Sequence, residues 1–154
     1  MSTPRPALSA DPEWLSAARE AVNDFVAELQ TGIDTGDADA YNAHFSDEVA
    51  WGSPYGATVV GYDALHAIHK TLLARAVAGP SSRYETVYVS APAPDVAVAQ
   101  VRQVTSDADG QPIPIDLPID HGAPFSEMAL YVLVRRDGQW WLAAGQNTPI
   151  RPKP

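Results

Sequence analysis

The sequence predicts an α+β domain in which helices come first and an antiparallel sheet follows. In residues 12–45 and 64–76 apolar side chains recur every three or four positions, whereas from residue 83 onward they alternate. Asp137-Gly138, between two alternating runs, is a strong hairpin signal. A sheet with one face covered by helices curls around them and leaves a cavity on its concave side. We therefore expect a curved antiparallel sheet wrapped around three N-terminal helices.

The first predicted helix is long and amphipathic. Asp11 is a suitable N-cap, Pro12 suits the first helical position, and Gly36 ends the helix. One face of this helix is apolar and carries Trp14, Ala18, Val22, Phe25, Val26, Leu29 and Ile33. This stripe predicts a helix that covers another layer of the structure.

The later elements are shorter. Asp37 and Asp63 are expected to cap two helices, at residues 38–45 and 64–76. Between these helices a hairpin is expected, with strands at 49–53 and 58–60. Four further strands are predicted at 83–90, 95–105, 125–136 and 139–148. The chain has 154 residues, the usual size of one domain, so we expect a single domain over 11–150 with tails at 1–10 and 151–154.

Composition argues against several classes of function. The formal net charge is -9 and the ten Lys and Arg residues do not cluster, so nucleic acid and anionic membrane are unsuitable partners. Because there is no Cys, disulfides, thiolate nucleophiles and Cys-ligated metals are excluded. No segment has the pattern of a membrane span or a signal peptide, which predicts a cytoplasmic protein. No nucleotide-binding loop such as GxGxxG occurs, and we expect no cofactor.

Four segments carry a resemblance to a known family. They are DADAYNAHFSDEVAW, GATVVGYDALHAIHKTLL, PDVAVAQVR and VRRDGQWWLAAGQNTP. In this order they resemble SnoaL-like and DUF4440-type proteins of the nuclear transport factor 2-like superfamily, from about Trp14 to Pro149. The last segment is similar to the ending of small actinobacterial proteins from enediyne antibiotic clusters. The resemblance implies a cone-shaped barrel around a pocket, usually forming a homodimer through the outer face of the sheet.

His69 is the first candidate for a catalytic residue. It shares a predicted helix face with Leu65 and Leu72 and should point toward the cavity, and the resemblance also places a His here. An imidazole exchanges a proton near neutral pH. The alternatives are a ligand contact and a core histidine hydrogen-bonded to the backbone. His66, three residues earlier, would complete a metal-binding pair, but no third ligand is evident and we expect no metal.

Aromatic and polar residues of the strands are candidates for ligand contacts. Trp51 and Tyr55 on the first hairpin would form aromatic walls for a flat molecule, although core packing also accounts for Trp51. Gln103 and Glu127 are polar residues whose faces depend on the strand register. The isomerases and cyclases of the superfamily rely on a carboxylate at the pocket floor. The sequence alone does not assign that carboxylate.

The last predicted strand contains two alternating sets of residues. The set that contains Trp140 is expected to face inward, because the family usually buries a tryptophan there, and this orientation brings Gln146 to the pocket. Its amide would orient a carbonyl or hydroxyl group. Asn147, in the other set, either fixes the backbone where the strand ends or contacts the ligand.

Residues 111–124 form a proline-rich segment that cannot be a central strand. Its aliphatic side chains are expected to cover either the pocket mouth or a dimer partner. Asp120 and His121 would then be an acid/base pair above the ligand. A solvated pair in a loop is the alternative.

Together these features predict a homodimeric pocket protein that acts on a hydrophobic polyketide-like or polycyclic metabolite. The expected chemistry is cofactor-independent proton transfer of the isomerase, cyclase or dehydratase type. The alternative is a noncatalytic ligand-binding or scaffold protein of a biosynthetic pathway.

Overall fold

A computed structural model describes residues 1–113 and 125–151. Within these residues the elements are α1 (Pro12–Thr35), α2 (Ala38–Tyr41), β1 (Phe45–Gly52), β2 (Thr58–Val60), α3 (Tyr62–Ala76), β3 (Ser82–Ala93), β4 (Val96–Thr105), β5 (Glu127–Arg136) and β6 (Gln139–Pro149). The predicted α+β fold class is confirmed, with helices before a curved, unclosed sheet. None of the helices in the described residues has the length and apolarity needed to cross a bilayer.

The strands form one six-stranded sheet in the order β2-β1-β6-β5-β4-β3. From β3 to β6 each strand pairs antiparallel with the next, as predicted. The expectation of a wholly antiparallel sheet is wrong at one place, since β1 runs parallel to β6. These strands are far apart in the chain, and a long connection of this kind permits a parallel pair. The pair joins the N-terminal hairpin to the rest of the sheet.

Helix α1 packs into the concave side of the sheet, and its ends follow from local sequence. The Asp11 carboxylate accepts hydrogen bonds from the backbone N–H groups of Glu13 and Trp14 at 2.9 and 3.1 Å. Gly36 adopts the left-handed conformation (φ 68°) that ends many helices. The Gln30 side chain bonds to the backbone of β3 at Ser82 and Tyr84. These bonds fix the helix to the edge strand β3.

Two predicted helix ends differ from the structure. The second helix was expected to reach residue 45 but ends at Tyr41, because Phe45 instead begins β1 and pairs with Leu142. Pairing with a strand distant in sequence thus overrides a local helical spacing. The predicted cap Asp63 lies inside the first turn of α3, which follows Gly61 without a side-chain cap.

The predicted hairpin turn is confirmed. Asp137 and Gly138 have φ values of 51° and 79°, and two successive positive φ values are typical of a type I′ turn between antiparallel strands. This turn connects β5 to β6 in the expected place.

Gly32 provides a test of the contact between α1 and α2. A Cβ atom at this position would lie 2.5 Å from the Tyr41 Cβ and 2.7 Å from its Cα. Gly32→Ala should therefore lower the free energy of unfolding by about 1–3 kcal/mol through overpacking, despite the better helix propensity of Ala. Urea denaturation measures the change. Gly79→Ala is the control, because its Cβ would make only ordinary contacts, and equal losses in the two variants would contradict the prediction.

Candidate functional site

A row of three polar side chains crosses the concave face of the sheet near one end. Tyr84, Gln103 and Glu127 lie opposite one another on β3, β4 and β5. Directly opposed residues project to the same side of a sheet. Because Tyr84 belongs to the buried core, Gln103 and Glu127 also face the interior. The sequence left their orientation open, and the strand register settles it.

Three tyrosines surround this end of the interior. The hydroxyls of Tyr41 and Tyr84 lie 2.9 Å apart in a hydrogen bond, and Tyr131 projects from β5 on the same face. Burial raises the pKa of all three phenols well above its usual value, and the charge of Glu127 raises it further. The phenols therefore remain protonated at neutral pH and act as hydrogen-bond donors.

Glu127 has the properties of an acid/base group. Its side chain is largely buried, and this burial raises the pKa of its carboxyl group from 4.5 to about 7. At neutral pH the group is divided between its acid and base forms, which is the condition that favours proton transfer in both directions. This pKa shift could not be predicted from sequence, because it depends on the burial that the fold provides.

His69 is buried in the interior, as predicted. Its Nδ1 lies 2.9 Å from Nδ2 and 3.2 Å from Oδ1 of Asn42. The rings of Tyr41, Phe45 and Trp51 meet the imidazole at 5.0, 5.8 and 5.2 Å between centroids. Burial lowers the pKa of His69 to about 4, assisted by the charge of His66. The imidazole is therefore neutral at physiological pH.

The helix face that carries His69 differs from the prediction. Leu65 and Leu73 are buried with it, whereas Leu72 is 51% exposed. The spacing of four from His69 to Leu73 keeps both side chains on the covered side of α3. The inward direction of His69 is unaffected.

Several interior polar groups lack hydrogen-bond partners in the part of the chain that the structure describes. They are Nε2 of His69, the Tyr131 hydroxyl and the Glu127 carboxylate. In that same part, every fully buried side-chain nitrogen or oxygen has a partner. The three groups must therefore reach space that water or a ligand can occupy. They define what we call the interior site.

The prediction that Gln146 faces the interior is wrong. The β5–β6 ladder shifts register between Val132 and Leu133, so that Leu133 pairs with Leu142 but Val132 pairs with Ala144. This bulge turns the rest of β6 over, because a shift of one residue exchanges the two faces of a strand. The Gln146 side chain consequently lies exposed on the convex face.

Asn147 takes the inward position instead. It pairs with Ala129, whose side chain is buried on the concave face. The Asn147 amide is therefore on the face that carries Glu127. The role of Asn147 as a ligand contact stays a prediction.

The two predicted aromatic walls have different surroundings. Trp51 is buried and stacks on Phe45 with ring centroids 5.6 Å apart, beside the His69 ring. It is both a core residue and a neighbour of the interior site. Tyr55 is 44% exposed, and its ring lies edge-on to Phe125 at 5.7 Å. Since Phe125 comes two residues before Glu127, Tyr55 lies near the same end of the molecule.

Asp120 and His121 lie outside the described residues, as does most of the proline-rich segment 111–124. Their proposed roles stay predictions.

His66 bonds to Asp39 through Nε2 at 2.7 Å, while His69 contacts Asn42, so the two imidazoles have different partners. Among residues 1–113 and 125–151 no group of three or more His, Asp or Glu is arranged to hold a metal ion.

Comparisons with known proteins agree with this fold. The family described as SnoaL-like domain matches residues 22–143. No curated protein sequence matches the chain. A Nostoc punctiforme domain of unknown function with a cystatin-like fold superposes with a TM-score of 0.70 at 18% identity, covering 89% of this chain and 80% of that one.

Two further solved structures are similar. A ketosteroid isomerase-like protein from Erwinia carotovora atroseptica superposes with a TM-score of 0.65 at 18% identity, covering 92% of this chain and 100% of the other. An NTF-2 like protein of unknown function from Shewanella oneidensis has a TM-score of 0.65 at 12% identity, covering 84% and 98%. At such identities the likeness concerns the fold alone.

Glu127 should make the stability of the protein depend on pH. Its folded pKa of about 7 exceeds the usual 4.5, so its stabilising contribution is complete below pH 4.5 and is lost as pH rises through 7. The free energy of unfolding of the wild type, relative to Glu127→Gln, should therefore fall by up to about 3 kcal/mol over this interval. Urea denaturation of both proteins across the interval measures the difference. A difference independent of pH would contradict the raised pKa, and the opposite effect of His69 cancels because both proteins contain it.

Proposed function

Because the chain belongs to the SnoaL-like domain family, we propose that it binds a small hydrophobic molecule and transfers a proton on it without a cofactor. The observation that carries the proposal is the Glu127 carboxyl group, which faces the interior with a pKa near 7. Such a group supplies the acid/base function that isomerases, cyclases and dehydratases share. It fills the role of the carboxylate that could not be assigned from sequence.

The tyrosines complete the proposed mechanism. Glu127 in its carboxylate form removes a proton from a carbon next to a carbonyl group, and the electron pair of that C–H bond moves toward the carbonyl oxygen. A phenol such as Tyr131, kept protonated by burial, donates a hydrogen bond to the developing oxyanion. Glu127 then returns the proton to the far carbon of an adjacent C=C bond, while the oxyanion re-forms the carbonyl group and the C=C bond moves into conjugation with it. No oxidant, reductant or metal is required.

The character of the interior supports a hydrophobic, partly planar ligand. Trp51 supplies an aromatic surface beside the site, and the inward amides of Gln103 and Asn147 offer both donors and acceptors. We assign the ligand to polyketide-like or polycyclic metabolites. The similarity of VRRDGQWWLAAGQNTP to proteins of enediyne clusters and the ketosteroid isomerase-like relative support this assignment.

Glu127→Gln tests the proposal. With a β,γ-unsaturated ketosteroid as probe, the wild type should form the conjugated ketone, and the variant should be about 10²- to 10⁴-fold slower because it lacks the proton-transferring group. Ultraviolet absorbance of the product measures the rate. Glu85→Gln is the matched control, since this carboxylate of β3 is exposed and pairs with Arg102 at 3.7 Å. Equal losses in both variants would argue against a catalytic Glu127.

A noncatalytic binding protein is the second candidate, and the neutral His69 favours it. With a pKa of about 4, this imidazole suits hydrogen bonding to a ligand better than proton transfer. A wild type that binds the ketosteroid but neither isomerises it nor exchanges its α-hydrogens in D₂O would support this candidate. Turnover that survives in Glu127→Gln but is lost in Asp120→Asn or His121→Gln would move the chemistry to that pair.

We also propose a homodimer that forms through the convex face of the sheet. Apolar side chains of β4 and β5 lie on that face, including Val98, Leu130 and Val132, and Leu130 is 43% exposed. Between β1, β5 and β6 the same face has a shallow depression of about 210 Å³ next to Leu130. A self-complementary apolar patch of this kind suits a two-fold interface.

Leu130→Glu should prevent this dimer, because two-fold symmetry would bring two buried carboxylates into one interface. Light scattering is expected to give twice the 16.5 kDa chain mass for the wild type and the chain mass for the variant. Ile68→Glu is the control, since Ile68 is also exposed but lies on α3. A monomeric wild type at micromolar concentration would remove the dimer from the proposal.

A further inference from the structure

Asn42 is a buried polar residue that the proposed reaction does not use. Its side chain is 1% exposed, and it follows α2 at the point where the chain turns toward β1. Its backbone N–H donates to the carbonyl of Ala38 at 2.9 Å, and its own carbonyl accepts from the Phe45 N–H at 3.0 Å. These two bonds fix the backbone on both sides of the residue and hold its side chain beside His69 of α3.

The amide of Asn42 meets His69 with its nitrogen closer than its oxygen. Nδ2 lies 2.9 Å from Nδ1 of the ring, and Oδ1 lies 3.2 Å from the same atom. An amide nitrogen can only donate a hydrogen bond. The shorter contact points to a lone pair on Nδ1 of His69, which places the ring proton on Nε2.

The surroundings of the ring hold this arrangement in place. Tyr41 of α2 and Trp51 of β1 meet the imidazole edge to face, with interplanar angles of 79° and 80°, so the ring is packed against two elements. Burial keeps the ring neutral, with a pKa of about 4. In the described residues Nε2 has no hydrogen-bond partner. Its N–H group is left free to meet a molecule in the interior site.

We infer that Asn42 is a positioning residue that holds His69 as the neutral tautomer protonated on Nε2, so that His69 donates a hydrogen bond to an oxygen of the ligand. A ligand of the interior site should therefore carry a carbonyl, ether or hydroxyl oxygen that accepts from Nε2. The statement that a ligand accepts a hydrogen bond from Nε2 rests on the proposed function. The tautomer is a property of the protein alone, so it can be tested without any ligand.

The experiment is a long-range hydrogen–nitrogen correlation spectrum of protein labelled with nitrogen-15 histidine, recorded without ligand near neutral pH. Nitrogen shifts and coupling patterns distinguish the two tautomers. The His69 signals are assigned by their loss in His69→Gln. We expect Nε2 to bear the proton and Nδ1 to have the shift of an unprotonated nitrogen. A proton on Nδ1, or averaged shifts for the two nitrogens, would overturn the inference.

The variant Asn42→Asp should reverse the tautomer of His69. Aspartate has the size of asparagine, but its carboxylate can only accept, so the proton should move to Nδ1 and the His69 pKa should rise. Asp39→Asn is the matched control. Asp39 bonds to His66, which lies on α3 together with His69, and replacing Asp39 should leave the His69 tautomer unaltered. If Asn42 were only a packing residue, Asn42→Asp would lower stability with the proton still on Nε2. Should that variant fail to fold, the wild-type spectrum alone decides the tautomer.

These outcomes are separable from those for the proposed function. A protein that fails to isomerise the ketosteroid but shows the Nε2 proton would refute the reaction and leave the role of Asn42 intact. A protein that isomerises the ketosteroid with the proton on Nδ1 would refute the inference and leave the role of Glu127 intact.

Discussion

The packing of α1 against the concave face of the sheet forms the core on which the rest of the fold depends. Phe25 lies at the centre of this contact, with its ring 5.4 Å from Tyr131 and 5.9 Å from Phe45. Together with Leu29 it fills the middle of the fold with close-packed apolar groups. Gln103 and Glu127 lie beyond this apolar middle, at the end of the sheet where β5 begins.

The same burial determines the chemical state of the polar groups. Removal from water disfavours every charged form, so the pKa values of Glu127 and the tyrosines rise while that of His69 falls. The protonation state at neutral pH differs between these groups because their ordinary pKa values differ. Glu127 is brought close to neutral pH, whereas the tyrosines and the histidine become neutral hydrogen-bonding groups. Among the described residues, a single physical effect therefore separates a carboxyl group that titrates near neutral pH from groups that stay neutral there.

Local sequence was enough to predict most elements, because helix periodicity, caps and the Asp137-Gly138 turn act over a few residues. It failed where distant parts of the chain meet. The end of α2 depends on Phe45 pairing with Leu142, and the orientation of Gln146 depends on a bulge in the β5–β6 ladder. The inward direction of His69 was predicted from its position on the helix face. The importance of Glu127 required the register of three strands and the burial that follows from it, and no local pattern contains that information.

The parallel pairing of β1 with β6 has a consequence for the order in which the molecule folds. Trp51 pairs with Gly145, so the chain must emerge from the ribosome at least to residue 145 before β1 gains its second neighbour. Until then the N-terminal hairpin has only the short strand β2 beside it, and an isolated two-stranded hairpin has marginal stability. The meander from β3 to β6 joins neighbouring segments and can assemble early. The pairing of β1 with β6 is then the late, long-range step, and it completes the surroundings of Trp51, which packs against His69.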